Sequence, residues 1–116
     1  MKVLKFREHL MPLVLSGEKD ITWRLFDDKA LAAGDDIELQ EYVSKKPFAY
    51  GRITKVAEKP FGELIKEDKQ GHEAFKDDAE MYAQYTEYYK TPVDVYTIVK
   101  VAWFELIPNP DKTALL

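Results

Sequence analysis

Cysteine is absent from the 116 residues. That excludes disulfides, thiolate metal sites and thiol nucleophiles, and it suits a cytoplasmic home. Histidine is scarce, with only His9 and His72, and neither belongs to an H-x-x-x-H, D-x-D or Cys/His set. Metal catalysis therefore has little support, and no metal or other cofactor is expected. The five glycines form no phosphate-cradling loop, which argues against an NTPase. No apolar run approaches the length of a bilayer span. Met1 to Arg7 lacks the apolar centre and small-residue cleavage site of a secretory signal. There is no repeat, no low-complexity segment and no internal linker, so one domain is expected, with no membrane partner.

What is present describes a globular chain, 46% hydrophobic and 33% charged. The net charge of −4 is unevenly spread. Residues 1–60 hold 11 Lys and Arg against 10 Asp and Glu, whereas residues 61–116 hold 6 against 11. Binding along a DNA duplex, which needs many phosphate contacts, is not expected. Local recognition of a nucleotide or a few phosphates stays open.

Hydrophobic periodicity outlines an α+β chain. Met1 to Phe6 alternates as a strand. His9 to Ser16 reads as a short apolar helix with Leu10, Leu13 and Val14 at core spacing and Pro12 tolerated in its first turn. Asp20 to Phe26, Asp36 to Val43 and Phe48 to Ala57 read as strands, with turns at Asp27 to Lys29 and Ser44 to Pro47 and a bulge or close approach at Gly51. Phe61, Leu64 and Ile65 fit one apolar face of a short helix or turn, and Glu67 to Gly71 reads as a polar loop. Asp77 to Lys90 is the best helix, with Asp77 and Glu80 at capping-box spacing. Its Met81, Tyr82, Tyr85 and Tyr89 share a face, read as core or core edge, with base stacking as the alternative. Val93 to Leu106 is the longest strand signal, rich in β-branched and aromatic residues. The order of elements predicts a small, mostly antiparallel sheet curled into a barrel with two or three flanking helices.

One stretch concentrates polar chemistry: Gly17-Glu18-Lys19-Asp20-Ile21-Thr22-Trp23-Arg24. It joins the first helix to a strand. Strand alternation puts Thr22 and Arg24 on one face and Trp23 on the other, with Lys19 in the turn just before. An ammonium, a hydroxyl and a guanidinium then meet in one patch, suited to a phosphate, a carboxylate or the carbonyl edge of a base. The plainer reading stands beside it: Gly17 a helix C-cap, and Lys19, Thr22 and Arg24 solvated surface residues. In the polar segment before the long helix, Glu73 reads as a solvated loop carboxylate and His72 as a solvated loop residue or an acid/base group.

The string G-x-K-x-x-T-x-R between a helix and a strand resembles the signature of the ASCH family, whose small β-barrel is related to the PUA RNA-binding fold. Gly34-Asp35-Asp36-Ile37-Glu38-Leu39 resembles the family's G-D-x-I/L-x-L segment, and Glu73-Ala74-Phe75 its E-x-F. The resemblance covers residues 1–107 as one ASCH/PUA-like domain and leaves 108–116 as a C-terminal tail. It implies that Glu73 faces the cleft formed by Lys19, Thr22 and Arg24. It also implies binding of RNA, a nucleotide or a nucleoside there, with Gly17 in the motif and Trp23 or Tyr42 offering a stacking face. Some small bacterial members are amidohydrolases that deacetylate N4-acetylcytidine, and their lysine, threonine and glutamate match Lys19, Thr22 and Glu73. The alternative implied is therefore a metal-independent hydrolase with those three residues catalytic. Trp23, a longer hairpin in the 40s and the C-terminal extension depart from that branch. A third reading is a non-catalytic interaction domain that docks a partner through Ala114-Leu115-Leu116 or the tyrosine-rich helix.

Overall fold

The computed structural model describes residues 1–26 and 29–110. The turn expected at Asp27 and Asp28 and the end of the tail, Leu115 and Leu116 included, lie outside the described residues. Five strands form one sheet: β1 (Lys2–Phe6), β2 (Ile21–Arg24), β3 (Asp36–Glu41), β4 (Pro47–Pro60) and β5 (Ile98–Ile107). The helices are α1 (Met11–Ser16), α2 (Lys66–Lys69) and α3 (Asp78–Tyr89), with 3-10 turns at Glu8–Leu10 and Phe61–Glu63.

The sheet order is β1-β3-β4-β5-β2. Every pairing is antiparallel except β1 with β3, which run parallel. The sheet curls into a half-barrel rather than closing strand to strand. Its two edge strands, β1 and β2, still face each other across a seam, because Arg24 on β2 donates from Nη2 to the Lys5 carbonyl on β1 at 3.0 Å.

Alternation along the strands divides the core between two faces. On β5, Ala102 and Phe104 join Leu4, Phe6, Ile37, Leu39 and Ile53 in a core closed by Leu10 and Val14 of the first helical segment. Val99 and Val101 of β5 point the other way, joining Ile21 and Trp23 of β2 and Leu25 just beyond it against Met81 and Tyr85 of α3. Thr22 and Arg24 therefore face the half-barrel interior while Trp23 faces α3. The helix starts where its cap was expected: the Asp77 carboxylate accepts the Glu80 N–H at 2.8 Å.

Four expectations need correction. The longest strand is β4, with 14 residues, rather than the last one. It pairs with β3 over its first part and with β5 along nearly its whole length, shifting register between Ile53 and Lys55. β5 begins only at Ile98, because the Asp94 carboxylate accepts the Tyr96 N–H at 2.9 Å and the Thr97 hydroxyl accepts the Asp94 N–H at 3.0 Å. Those local bonds turn the chain and override the β-branched composition. Residues Lys66–Lys69 are helical, since buried Asp68 takes the Ile65 N–H at 2.9 Å and caps the turn. Ile65 itself is exposed. Gly51 marks a close approach: a Cβ there would meet the Glu105 carbonyl oxygen at 2.9 Å.

Candidate functional site

Gly17 ends α1 with φ +85, a left-handed conformation that glycine adopts without steric cost, and its N–H bonds the Val14 carbonyl at 3.1 Å. The chain reverses there, and Lys19 N–H bonds back to Leu13 O at 2.9 Å. The next residue pins the turn to two distant segments. Asp20 N–H donates to Gly71 O at 3.1 Å, and Asp20 O accepts from Phe104 N–H at 3.0 Å. Gly71 is also left-handed, φ +85, and a Cβ on it would run into the Asp20 carboxylate. This contact delivers His72 and Glu73 to Lys19.

Lys19 and Thr22 are each only 3% exposed. Lys19 Nζ donates to Glu73 Oε2 at 2.6 Å and to Ile21 O at 2.8 Å. The Glu73 side chain keeps 20% exposure and opens to the cleft. Burial pulls the Lys19 pKa below its ordinary value, and attraction to Glu73 only partly restores it. Burial also opposes the Glu73 charge, but the neighbouring His72 and Lys19 and the Lys19 hydrogen bond outweigh it and hold the carboxyl below the usual range. Glu73 is therefore ionised at neutral pH.

Arg24 Nε donates to Thr22 Oγ1 at 2.8 Å, as the shared strand face requires. Its guanidinium lies 4.9 Å from the Phe6 ring centroid. Part of the Arg24 fork is thus spent inside the protein, on Thr22 and on the seam carbonyl of Lys5. Trp23 is 4% exposed. Its Nε1 donates to Asp68 O at 2.9 Å, and the His72 ring stacks on it at 3.6 Å between centroids. The ring face expected to meet a ligand is covered by His72.

The sequence leaves His72 as a loop residue or an acid/base group; the fold makes it the floor beneath Glu73. Its Nδ1 lies 2.9 Å from Glu73 O and its Nε2 3.2 Å from the Tyr85 hydroxyl. Burial, then the Lys19 charge, push its pKa down to about 4. The ring is neutral at pH 7, with Nδ1–H donating to the carbonyl and Nε2 accepting from Tyr85.

These groups line one cleft of about 360 Å³ along the β1–β2 seam. Tyr42 is at its wall, as are Tyr88 and Tyr89 of α3. Gly17 is not; it borders a separate cavity with Glu18, Asp20 and Glu67. The cleft also contains Lys5, Arg7 and Lys29, which motif reasoning passed over. The available signal was position, since Lys5 lies on β1 and Arg7 follows that strand into the turn beside the seam. Among the described residues, no group of three or more His, Asp or Glu is placed to hold a metal. None of their helices is long and apolar enough to cross a membrane.

No family model matches the sequence, and no curated protein does. Solved structures do match by shape. An ASCH domain from Lactobacillus crispatus aligns with TM-score 0.69 and 12% identity over 90% of this chain and 79% of its own. The ASCH protein of Zymomonas mobilis aligns with TM-score 0.64 and 13% identity over 95% of this chain and 73% of its own. The chain has the ASCH fold. A DUF984 protein of Enterococcus faecalis shares it, with TM-score 0.75 and 20% identity over 92% of this chain and 76% of its own. The ASCH fold accounts for the seam: a mixed sheet whose edges approach without pairing leaves a groove walled by both edge strands.

Proposed function

We propose that the chain is an ASCH-family domain that binds a nucleotide, a nucleoside or single-stranded RNA in the β1–β2 seam cleft. The observation that carries this reading is the charge and shape of the cleft. Among the described residues, Lys5, Arg7, Lys19, Arg24 and Lys29 line it against one carboxylate, that of Glu73, on a chain whose net charge is −4. Its volume of about 360 Å³ suits one base and its sugar, within the range of small-molecule sites. Tyr42, Tyr88 and Tyr89 supply aromatic surface, and the buried Lys19–Glu73 pair presents a donor and an acceptor for a base edge. Binding of nucleotides and short single-stranded RNA at low salt is expected, weakened by Arg24→Ala and by added salt. A protein that binds neither nucleotide nor RNA at low salt would end this reading.

A second reading is supported by one contact, the 2.6 Å Lys19–Glu73 bond beside the Thr22 hydroxyl. We infer from it a metal-independent hydrolase acting on the amide of an acylated nucleoside such as N4-acetylcytidine. Glu73, ionised, takes a proton from water as its oxygen adds to the acyl carbon. Lys19 stabilises the oxyanion, and the C–N bond breaks as the proton passes to the leaving nitrogen. The products are the carboxylic acid and the free amine of the nucleoside. In the alternative route Thr22 Oγ1 adds to the acyl carbon as its proton passes to Glu73 and on to the leaving nitrogen, the Arg24 Nε–H stabilising the forming alkoxide. Water then hydrolyses the acyl–threonine ester to the carboxylic acid and the free hydroxyl. Incubation with N4-acetylcytidine in the presence of a chelator tests both routes. Turnover lost in Glu73→Gln and Lys19→Ala, with both variants folded, supports the hydrolase. No turnover in the wild-type protein leaves the binding reading alone.

A further inference from the structure

Arg7 has a setting unlike the other cleft cations. Its guanidinium carbon lies 3.8 Å from the centroid of the Tyr42 ring and 5.0 Å from that of Tyr88. Tyr42 is exposed at the cleft mouth, and Tyr88 comes from α3 on the other side. Two tyrosines from distant parts of the chain thus hold one cation at the cleft mouth. A guanidinium laid against a ring keeps its N–H donors around its edge, in the plane where they can fork onto two oxygens of one group.

Among the described residues, no carboxylate lies within ion-pair distance of Arg7. Glu87, which senses its charge, is instead bonded to Lys90 at 2.6 Å. Arg24 differs, because Thr22 Oγ1 and Lys5 O take up its Nε and Nη2. Lys19 differs too, with Glu73 and Ile21 O as acceptors. The Lys19 and Arg24 charges therefore have acceptors inside the cleft, whereas at the mouth no carboxylate among the described residues is bonded to the Arg7 cation. Lys5 lines the same cleft and adds a further positive charge.

Resting on the proposed nucleotide-binding reading, we infer that the ligand is a phosphate ester whose phosphate is gripped by Arg7 at the cleft mouth, while its base and sugar lie inward toward Thr22 and Glu73. The phosphate is a terminal one on a nucleotide or an internal one in RNA; both present paired anionic oxygens to the fork. Arg7 thereby selects phosphorylated ligands over free nucleosides.

The test is calorimetric titration of the full chain at low salt with the ribonucleosides, their 5′-monophosphates and short RNA oligomers without terminal phosphate. Wild type, Arg7→Ala, Arg7→Lys and Arg24→Ala are compared, each checked for folding by thermal melting. A monophosphate or an oligomer is expected to bind about tenfold or more tighter than the matching nucleoside. Arg7→Ala should erase that advantage, weakening phosphorylated ligands about tenfold more than the matching nucleoside, and Arg7→Lys, which keeps charge but not the fork, should restore it only in part. An advantage for the monophosphates assigns a terminal phosphate; one for the oligomers alone assigns an internal phosphate. Equal affinity for phosphorylated and free ligands, or equal weakening of both by Arg7→Ala, overturns the inference while the nucleotide-binding reading survives. Failure of every ligand to bind the wild-type protein overturns both.

Discussion

Acid should destabilise this protein through one side chain. His72 is buried against Trp23 and Tyr85, and Lys19 adds a positive charge nearby. Its pKa falls from 6.5 in the unfolded chain to about 4 in the fold. Between those values the unfolded chain binds a proton that the folded one refuses, so stability falls as pH falls through 6.5 and levels off below about 4. Linkage sets the loss at about 2 kcal/mol between roughly pH 7 and pH 5, and about 3 kcal/mol by pH 4. The upper window matters because it lies above the carboxylate range, including the ordinary 4.5 of Glu73. Urea unfolding of wild type and His72→Phe at several pH values in that window measures the effect. Phenylalanine keeps a ring against Trp23 but cannot titrate. It loses the bonds to Glu73 O and the Tyr85 hydroxyl, costing about 1–2 kcal/mol at neutral pH. The variant should then be nearly flat where wild type loses its 2 kcal/mol or so. His9 is exposed and common to both proteins. Parallel pH profiles for the two proteins would refute the reasoning, because they would place the acid sensitivity elsewhere.

Further outcomes concern the pieces that assemble the cleft. Glu73→Gln leaves Lys19 facing a neutral amide and should cost about 1–3 kcal/mol at neutral pH, less than a fully buried pair because Glu73 keeps some exposure. Since the folded pKa of Glu73 is depressed, its contribution is present above the ordinary 4.5 and lost as pH falls through the folded value; the gap between variant and wild type must narrow in acid. Gly71→Ala meets both a left-handed backbone and the Asp20 carboxylate, so a loss of about 1–2 kcal/mol by urea unfolding is expected. Unchanged stability there would mean that the 71–73 segment is not anchored on Asp20. Asp77→Ala removes the cap on Glu80 N–H and should lower stability by about 1 kcal/mol without altering ligand affinity.

The site divides cleanly into local and distant parts. Residues 17–24 determine their own arrangement. A glycine cap, a two-residue strand repeat and the short reach of Lys19 from its turn are local physics, so the shared Thr22–Arg24 face is readable without a fold. The Asp77 cap and the alternation of β3 are legible for the same reason. Where β5 begins was not, because side-chain bonds of Asp94 and Thr97 compete with β-propensity over a few residues. Nor was the burial of Trp23: alternation says which face it takes, but His72, 49 positions later in the numbering, decides what covers it. The Glu73–Lys19 bond joins residues separated by 54 in sequence, and the family motif implied it where periodicity could not. The Arg7 setting had no sequence signal beyond its place after a strand. The parallel pairing of β1 with β3, extended by the Tyr42 N–H bond to Phe6 O, sets Tyr42 beside Arg7, and the packing of α3 against the seam brings Tyr88. Local sequence chose the functional groups, and the long-range packing of the half-barrel chose their neighbours, because charge, burial and geometry at a cleft depend on atoms that the chain brings back from far away.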